Sequence, residues 1–130
     1  MGIDNRYWAG LFDGEGNINV AKDLVHVQVA LTQKEPKILH LLEDAFGGGV
    51  TKYGKQTCYK WRVWKIEDMI VFLESILPFS IIKKTEISIS LEFLYGMRKE
   101  NLGYNPLSLE ERMRRMKLRE RLLEDRHSVS

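Results

Sequence analysis

The feature that most constrains this chain is a change of hydrophobic period that happens twice. From Asn5 to Glu15 the apolar residues Trp8, Leu11 and Phe12 fall at helical spacing. From Asn17 to Lys22 the period drops to two, with Ile18 and Val20 on one side and Asn17 and Asn19 on the other. The stretch Val25-His26-Val27-Gln28-Val29-Ala30-Leu31 continues the alternation, and His26, Gln28, Ala30 and Thr32 lie opposite its apolar set. Lys22-Asp23-Leu24 is a short turn between the two, so they form a hairpin. The same order then recurs. A helix opens at Pro36, where the missing N–H costs nothing, carries Ile38, Leu39, Leu41, Leu42, Ala45 and Phe46 inward, and stops at Gly47-Gly48-Gly49. A second hairpin runs from about Val50 to Trp64 and turns near Tyr53-Gly54-Lys55-Gln56. Strands with one greasy and one polar face need helices behind them, so the two αββ units predict an α+β fold with an antiparallel sheet.

Three helical segments follow. One spans about Glu67 to Leu77, Pro78 interrupts, and a longer one is expected from about Ser80 to Met97. After the loop Gly103-Tyr104-Asn105-Pro106, Ser108-Leu109-Glu110-Glu111 reads as a capping box. The last helix, about Leu109 to Asp125, is densely charged, with Leu109, Met113, Met116 and Leu123 as its sparse apolar stripe. The expected organisation is a core over residues 1–100, with residues 101–130 forming a loop and a charged helix packed on it or extending it.

Composition narrows the function classes. A chain of 130 residues, 44% hydrophobic and 29% charged, can bury a core and fits one domain. The lone Cys58 excludes an internal disulfide and a Cys-rich zinc site. His26, His40 and His127 lack metal-ligand spacing, and Gly47-Gly48-Gly49 lacks the Lys-Ser/Thr of a phosphate loop. The first residues lack the order of a secretion signal, and no apolar run approaches the ~18 residues that span a bilayer. The expectation is a soluble intracellular protein, in a prokaryotic cytoplasm or an organelle, without a membrane partner. Net charge is only +2. Its distribution says more: Lys52, Lys55, Lys60, Arg62 and Lys65 fall between Gly47 and Lys65 with no acid among them, which favours a polyanion.

Trp8-Ala9-Gly10-Leu11-Phe12-Asp13-Gly14-Glu15-Gly16 resembles the LAGLIDADG motif of homing endonucleases. Ala9, Gly10 and Leu11 match its second to fourth places, Asp13 the sixth, Glu15 the acidic eighth and Gly16 the ninth. The resemblance extends over about Asp4 to Met97, because the αββαββα order is also that of the family. Gly10 and Gly14 lie one turn apart, so a second backbone can approach that helix face. The approaching element could be another helix of the same subunit or the same helix of a second copy. With one motif in the chain, the resemblance implies the single-motif, homodimeric type, with Ala9, Gly10, Asp13 and Gly14 at the interface and Asp13 structural there, capping or bridging at the seam.

A carboxylate at a helix C-terminus faces the negative end of the dipole, which is unfavourable without a cation. Glu15 paired with its dimer mate suits Mg²⁺. The resemblance implies the metal position at Gly14 and Glu15, although Asp is the usual residue at the eighth place. It also implies catalytic surroundings at Gln33, Lys37 and Lys83, with Lys84 an alternative to Lys83. Mg²⁺ is the expected cofactor, with Mn²⁺ substituting and Ca²⁺ binding without supporting cleavage. No small-molecule cofactor is expected.

A two-stranded ribbon fits the major groove of B-DNA, whose base edges amide, Arg and Lys side chains can read. Asn19, Lys22, His26, Gln28, Lys52, Lys55, Lys60 and Arg62 are the expected DNA-binding residues. Trp64 breaks the pattern, and is either exposed for a reason or buried at the strand end. Together with the resemblance these features imply an intron-encoded, homodimeric endonuclease. It would cut double-stranded DNA at a long, near-palindromic site, with the concave sheet of each subunit laid on one half. The alternative keeps the fold without the chemistry, as an intron maturase or transcription regulator. A third class, a protein-interaction domain using the Gly10/Gly14 face, would bind no nucleic acid.

Overall fold

Asp4 accepts a hydrogen bond from the Arg6 N–H at 2.8 Å and so caps the first helix, α1, Asn5–Glu15. The chain is seen here in a computed structural model that describes residues 4–24, 26–53, 57–100 and 109–128. After α1 come β1 (Gly16–Val20), β2 (Val27–Gln33), α2 (Pro36–Phe46), β3 (Gly49–Tyr53) and β4 (Cys58–Val63). Then follow α3 (Ile66–Ile76), a 3-10 turn over Leu77–Phe79, α4 (Lys84–Glu100) and α5 (Leu109–Ser128). The four strands form one antiparallel sheet in the order β1-β2-β4-β3. The second strand of each hairpin is therefore central, and the two αββ units join along β2 and β4.

The inner face carries Ile18 and Val20 of β1, Val27, Val29 and Leu31 of β2, and Trp61 and Val63 of β4, all buried. The helices close over it through aromatic rings. Phe72 of α3 meets Phe12 of α1 at 5.4 Å between ring centroids, and Phe46 of α2 and Trp61 of β4 at 5.0 Å each, all edge-on. Such edge contacts are favourable beyond the area they bury. The indole N–H of Trp61 donates to the Gly47 carbonyl at 2.8 Å. Gly48, at φ 85°, must be glycine, because a Cβ there would lie 2.3 Å from the Arg62 carbonyl oxygen.

Several expectations shift. Leu41 and Ala45 of α2 are exposed, leaving Leu39 and Leu42 as the buried residues of that helix. α4 begins at Lys84, not Ser80, because Ser80 to Lys83 form an extended-then-bent segment held by α1. In α5 the buried residues are Glu111, Arg115, Leu118 and Leu122, while Leu109, Met113 and Met116 are exposed. The capping Ser108, the loop at 103–106 and the turn at 54–56 lie outside the described residues. Among the described residues no helix is long and apolar enough to cross a membrane.

Candidate functional site

The α1 helix ends at Glu15 and runs without a break into β1 at Gly16. Its last turn is fixed by Asp13. That carboxylate, buried, accepts the backbone N–H groups of Ile81 (2.8 Å), Ile82 (3.2 Å) and Lys83 (3.1 Å), and the hydroxyl of Ser80. Burial raises its pKa. The Ile81 N–H, the Ser80 hydroxyl and the Lys83 and Ile82 N–H groups outweigh that and hold it below the ordinary carboxylate value. Lys83 answers with its Nζ, which donates to the Asp13 carbonyl at 2.8 Å. This half-buried ammonium thus sits at the negative end of α1, on the carbonyl two residues before Glu15. Lys84 is exposed at the start of α4, so the geometry separates the two lysines and ties Lys83 to the motif helix.

Glu15 is exposed. The pairing of Gly16 with Leu31 places the end of α1 beside the end of β2, where Gln33 closes the strand opposite Tyr59. Glu15, Gln33 and Lys83 therefore gather at one end of the sheet. Lys37, exposed in the first turn of α2, follows Gln33 by four residues, and its backbone N–H donates to Glu35 at 3.2 Å. Among the described residues no three His, Cys, Asp or Glu side chains cluster as a metal cage. At the end of α1 the chain offers Glu15 and, from Gly14, only a backbone carbonyl.

Of the four residues expected at a dimer seam, two are turned into the chain, and Asp13 there takes the capping role that was one of its expected ones. Ala9 is fully buried, and Asp13 is consumed by the 80–83 segment. Gly10 and Gly14 are exposed, and a Cβ on either would meet no atom within 4 Å. Among the described residues no helix of this chain occupies that face.

The outer face of the sheet is polar, and register assigns its rows. Asn17, Ala30, Arg62 and Gly49 form one row across all four strands. Thr32, Lys60 and Thr51 form the next, and Asn19 pairs with Gln28 on the other side. The Nε of Arg62 is buried without a hydrogen-bond partner. Lys52 is a correction: it pairs with Tyr59, which packs against the core, and so points to the helix side of the sheet. Lys22 and His26 lie in the β1–β2 turn rather than on a strand, and His26 Nδ1 is bonded to the Asp23 carboxylate. Lys55 lies outside the described residues. Trp64 is 56% exposed just past β4, with its ring 3.7 Å from a Cβ position on Gly49. Asn17, Thr32 and Thr51 share the outer face; alternation in the sequence already places Asn17 and Thr32 there, although the expected DNA-binding set leaves all three out.

No protein-family model and no curated protein matches the chain by sequence. Solved structures do. An archaeal intron-encoded homing endonuclease, I-Vdi141I, complexed with DNA, superposes with TM-score 0.74 at 21% identity over 93% of this chain and 82% of its own. The homing endonuclease I-TnaI matches over 100% of both chains, with TM-score 0.72 and 19% identity. I-SmaMI, bound to an uncleaved DNA target in the presence of calcium ions, matches with TM-score 0.73 and 18% identity over 92% of this chain but 45% of its own. The motif at Trp8–Gly16 and the αββαββα sheet behind it thus come together in one architecture, and the chain has the fold of the LAGLIDADG homing endonucleases.

Proposed function

We propose that this chain is a homodimeric, sequence-specific endonuclease that hydrolyses both strands of a near-palindromic DNA site with a divalent metal. The observation that carries the reading is α1 itself: Gly10 and Gly14 bare on its outer face, and Glu15 exposed where it ends. The surface beside that face is apolar. Ile81 is 85% and Ile82 64% exposed, on the segment Asp13 holds against α1, and Tyr7 and Phe79 are exposed nearby. Contiguous exposed apolar surface of this kind is a mark of a protein interface. A second copy across Gly10 and Gly14 covers it and brings two Glu15 carboxylates together at the seam. The match to less than half of I-SmaMI supports the same count, two units of this size per assembly.

The donor set fits a divalent cation only when shared. One carboxylate and one carbonyl per protomer are too few for a protein cage, but Mg²⁺ keeps several waters and takes phosphate oxygens readily. Glu15, its mate and the Gly14 carbonyls would hold it; once bound it supplies Lewis acidity and activates water. Ca²⁺ accompanies the uncleaved DNA in the I-SmaMI complex, and Mn²⁺ is expected to replace Mg²⁺. The protein groups do the positioning. Lys83, anchored on the Asp13 carbonyl, places a fixed positive charge beside the scissile phosphate. Gln33 offers an amide that orients an attacking water, and Lys37 adds a further cation at the same end of the sheet. The outer face reads bases through Asn19, Gln28, Lys60 and Arg62, while Lys22 and Lys55 suit phosphate contacts.

Selection from a randomised duplex library tests this. The reading predicts recovery of a two-fold symmetric site bound tightly, with affinity that falls as salt rises. Recovery of a strong site that no metal allows the protein to cut would point instead to a maturase or regulator. No enrichment at any salt would reject DNA recognition.

A further inference from the structure

The β1–β2 hairpin, whose turn carries Lys22 and His26, is held from behind by a buried cation. Arg115 of α5 is 3% exposed. Its Nε donates to Glu111 Oε1 at 2.8 Å and its Nη1 to the Leu24 carbonyl at 2.9 Å, and its guanidinium lies 5.7 Å from the Phe93 ring of α4. One helical turn on, Arg119 Nε donates to the Val20 carbonyl at 3.1 Å. Two arginines of one helix thus grip the last residue of β1 and the far side of the turn, 99 and 91 residues away in sequence respectively. Leu24 needs that grip. It is buried with φ 65°, a conformation L side chains rarely adopt.

A buried arginine is expensive to desolvate and is retained where its fixed fork sets a geometry. An apolar residue in place of Arg115 would leave the Leu24 carbonyl and the Glu111 carboxylate without this donor. We propose that α5 is a clamp on the β1–β2 hairpin, with Arg115 and Arg119 as positioning residues that fix where the hairpin meets DNA and so sharpen sequence discrimination. The inference rests on the DNA-reading role above for its functional half. Its structural half, the ordering of the hairpin, is independent of DNA.

Two measurements on the full chain separate the halves. In hydrogen exchange, Arg115→Met should speed exchange of the Ala21 and Leu24 amides, which close the turn, at least about tenfold while α3 amides stay within about twofold. Arg119→Met should do the same more weakly, and Arg115→Lys, which keeps a donor for the Leu24 carbonyl, should restore part of the protection. Exchange unchanged at the turn, or raised equally everywhere, overturns the clamp. In binding, Arg115→Met should lower the ratio of selected-site to random-duplex affinity by about tenfold while random-duplex affinity holds. A loosened turn with an unaltered ratio overturns the specificity role. If Arg115→Met does not fold, Arg119→Met, which removes the hydrogen bond to Val20, decides by the same criteria. Failure of the wild-type protein to bind any duplex would reject the DNA reading and leave the exchange result standing.

Discussion

Asp13 and Lys83 hold each other twice: the Lys83 N–H donates to the Asp13 carboxylate at 3.1 Å, and the Lys83 Nζ to the Asp13 carbonyl at 2.8 Å. The carboxylate also serves Ser80, Ile81 and Ile82, so one side chain stands in for a helix cap at the entrance to α4. Asp13→Ala leaves three backbone N–H groups without this acceptor and should destabilise the fold by about 3 kcal/mol. Asp13→Asn keeps the shape and part of the bonding, and should fall between. Urea denaturation of the two variants checks both the size and the order.

Acid should unfold the protein through α5. Glu111 sits between Arg114 and Arg115, at 2.8 Å from each, and the Arg114 hydrogen bonds, against the opposing effect of burial, lead in pulling its pKa from 4.5 to about 2. The folded state thus binds this proton less readily than the unfolded chain. Stability is complete above pH 4.5 and is lost as pH falls toward about 2, by up to about 3 kcal/mol. Asp13, also lowered, adds a loss of the same sign below its own ordinary value. Glu111→Gln should be less stable at neutral pH and show a flatter profile in that window. A profile as steep as the wild type's would contradict this.

The seam makes a prediction with two opposite signs. A side chain at Gly10 meets open space in the protomer, so Gly10→Leu should stabilise the isolated fold by roughly 1 kcal/mol through helix propensity. The same change should dissociate the dimer, because it separates two helices that need bare backbone to approach. Sedimentation together with thermal melting reads both. A variant that stays dimeric would move the interface elsewhere.

Register divides the cations by task. Arg62 lies at the centre of the outer face, whereas Lys52 points to the helix side. Arg62→Ala should relax discrimination among DNA sites and cost about 1–3 kcal/mol at its favoured base. Lys52→Ala should at most lower the salt slope by about 1 and leave discrimination intact. Binding isotherms at several salt concentrations distinguish the two outcomes.

Local signals carried much of this architecture. The Asp4 cap, the helical stripe of Trp8, Leu11 and Phe12, and the period-two runs place α1, β1 and β2 to within two residues, because each depends on neighbours in sequence. What stayed hidden is non-local. Ser80 reads as a helix start, yet its segment is bent by Asp13, 67 residues away. The buried stripe of α5 is set by Glu111 and Arg115, which hydrophobic periodicity counts as surface. At the candidate site the family resemblance names Glu15, Gln33 and Lys83 as expectations; that they gather at one end of the sheet is a matter of the fold. The inward turn of Ala9 and Asp13 follows from which helix face packs on Phe72, and that only the folded chain decides.

The central claim is that two Glu15 carboxylates, one from each protomer, serve the cleavage of both strands. The direct measurement is cleavage of a plasmid carrying the selected site, in Mg²⁺, by the wild type and by Glu15→Gln. The account predicts linear product from the wild type, none from Glu15→Gln, and equal binding of the site by both. Cutting by Glu15→Gln at the wild-type rate would contradict it.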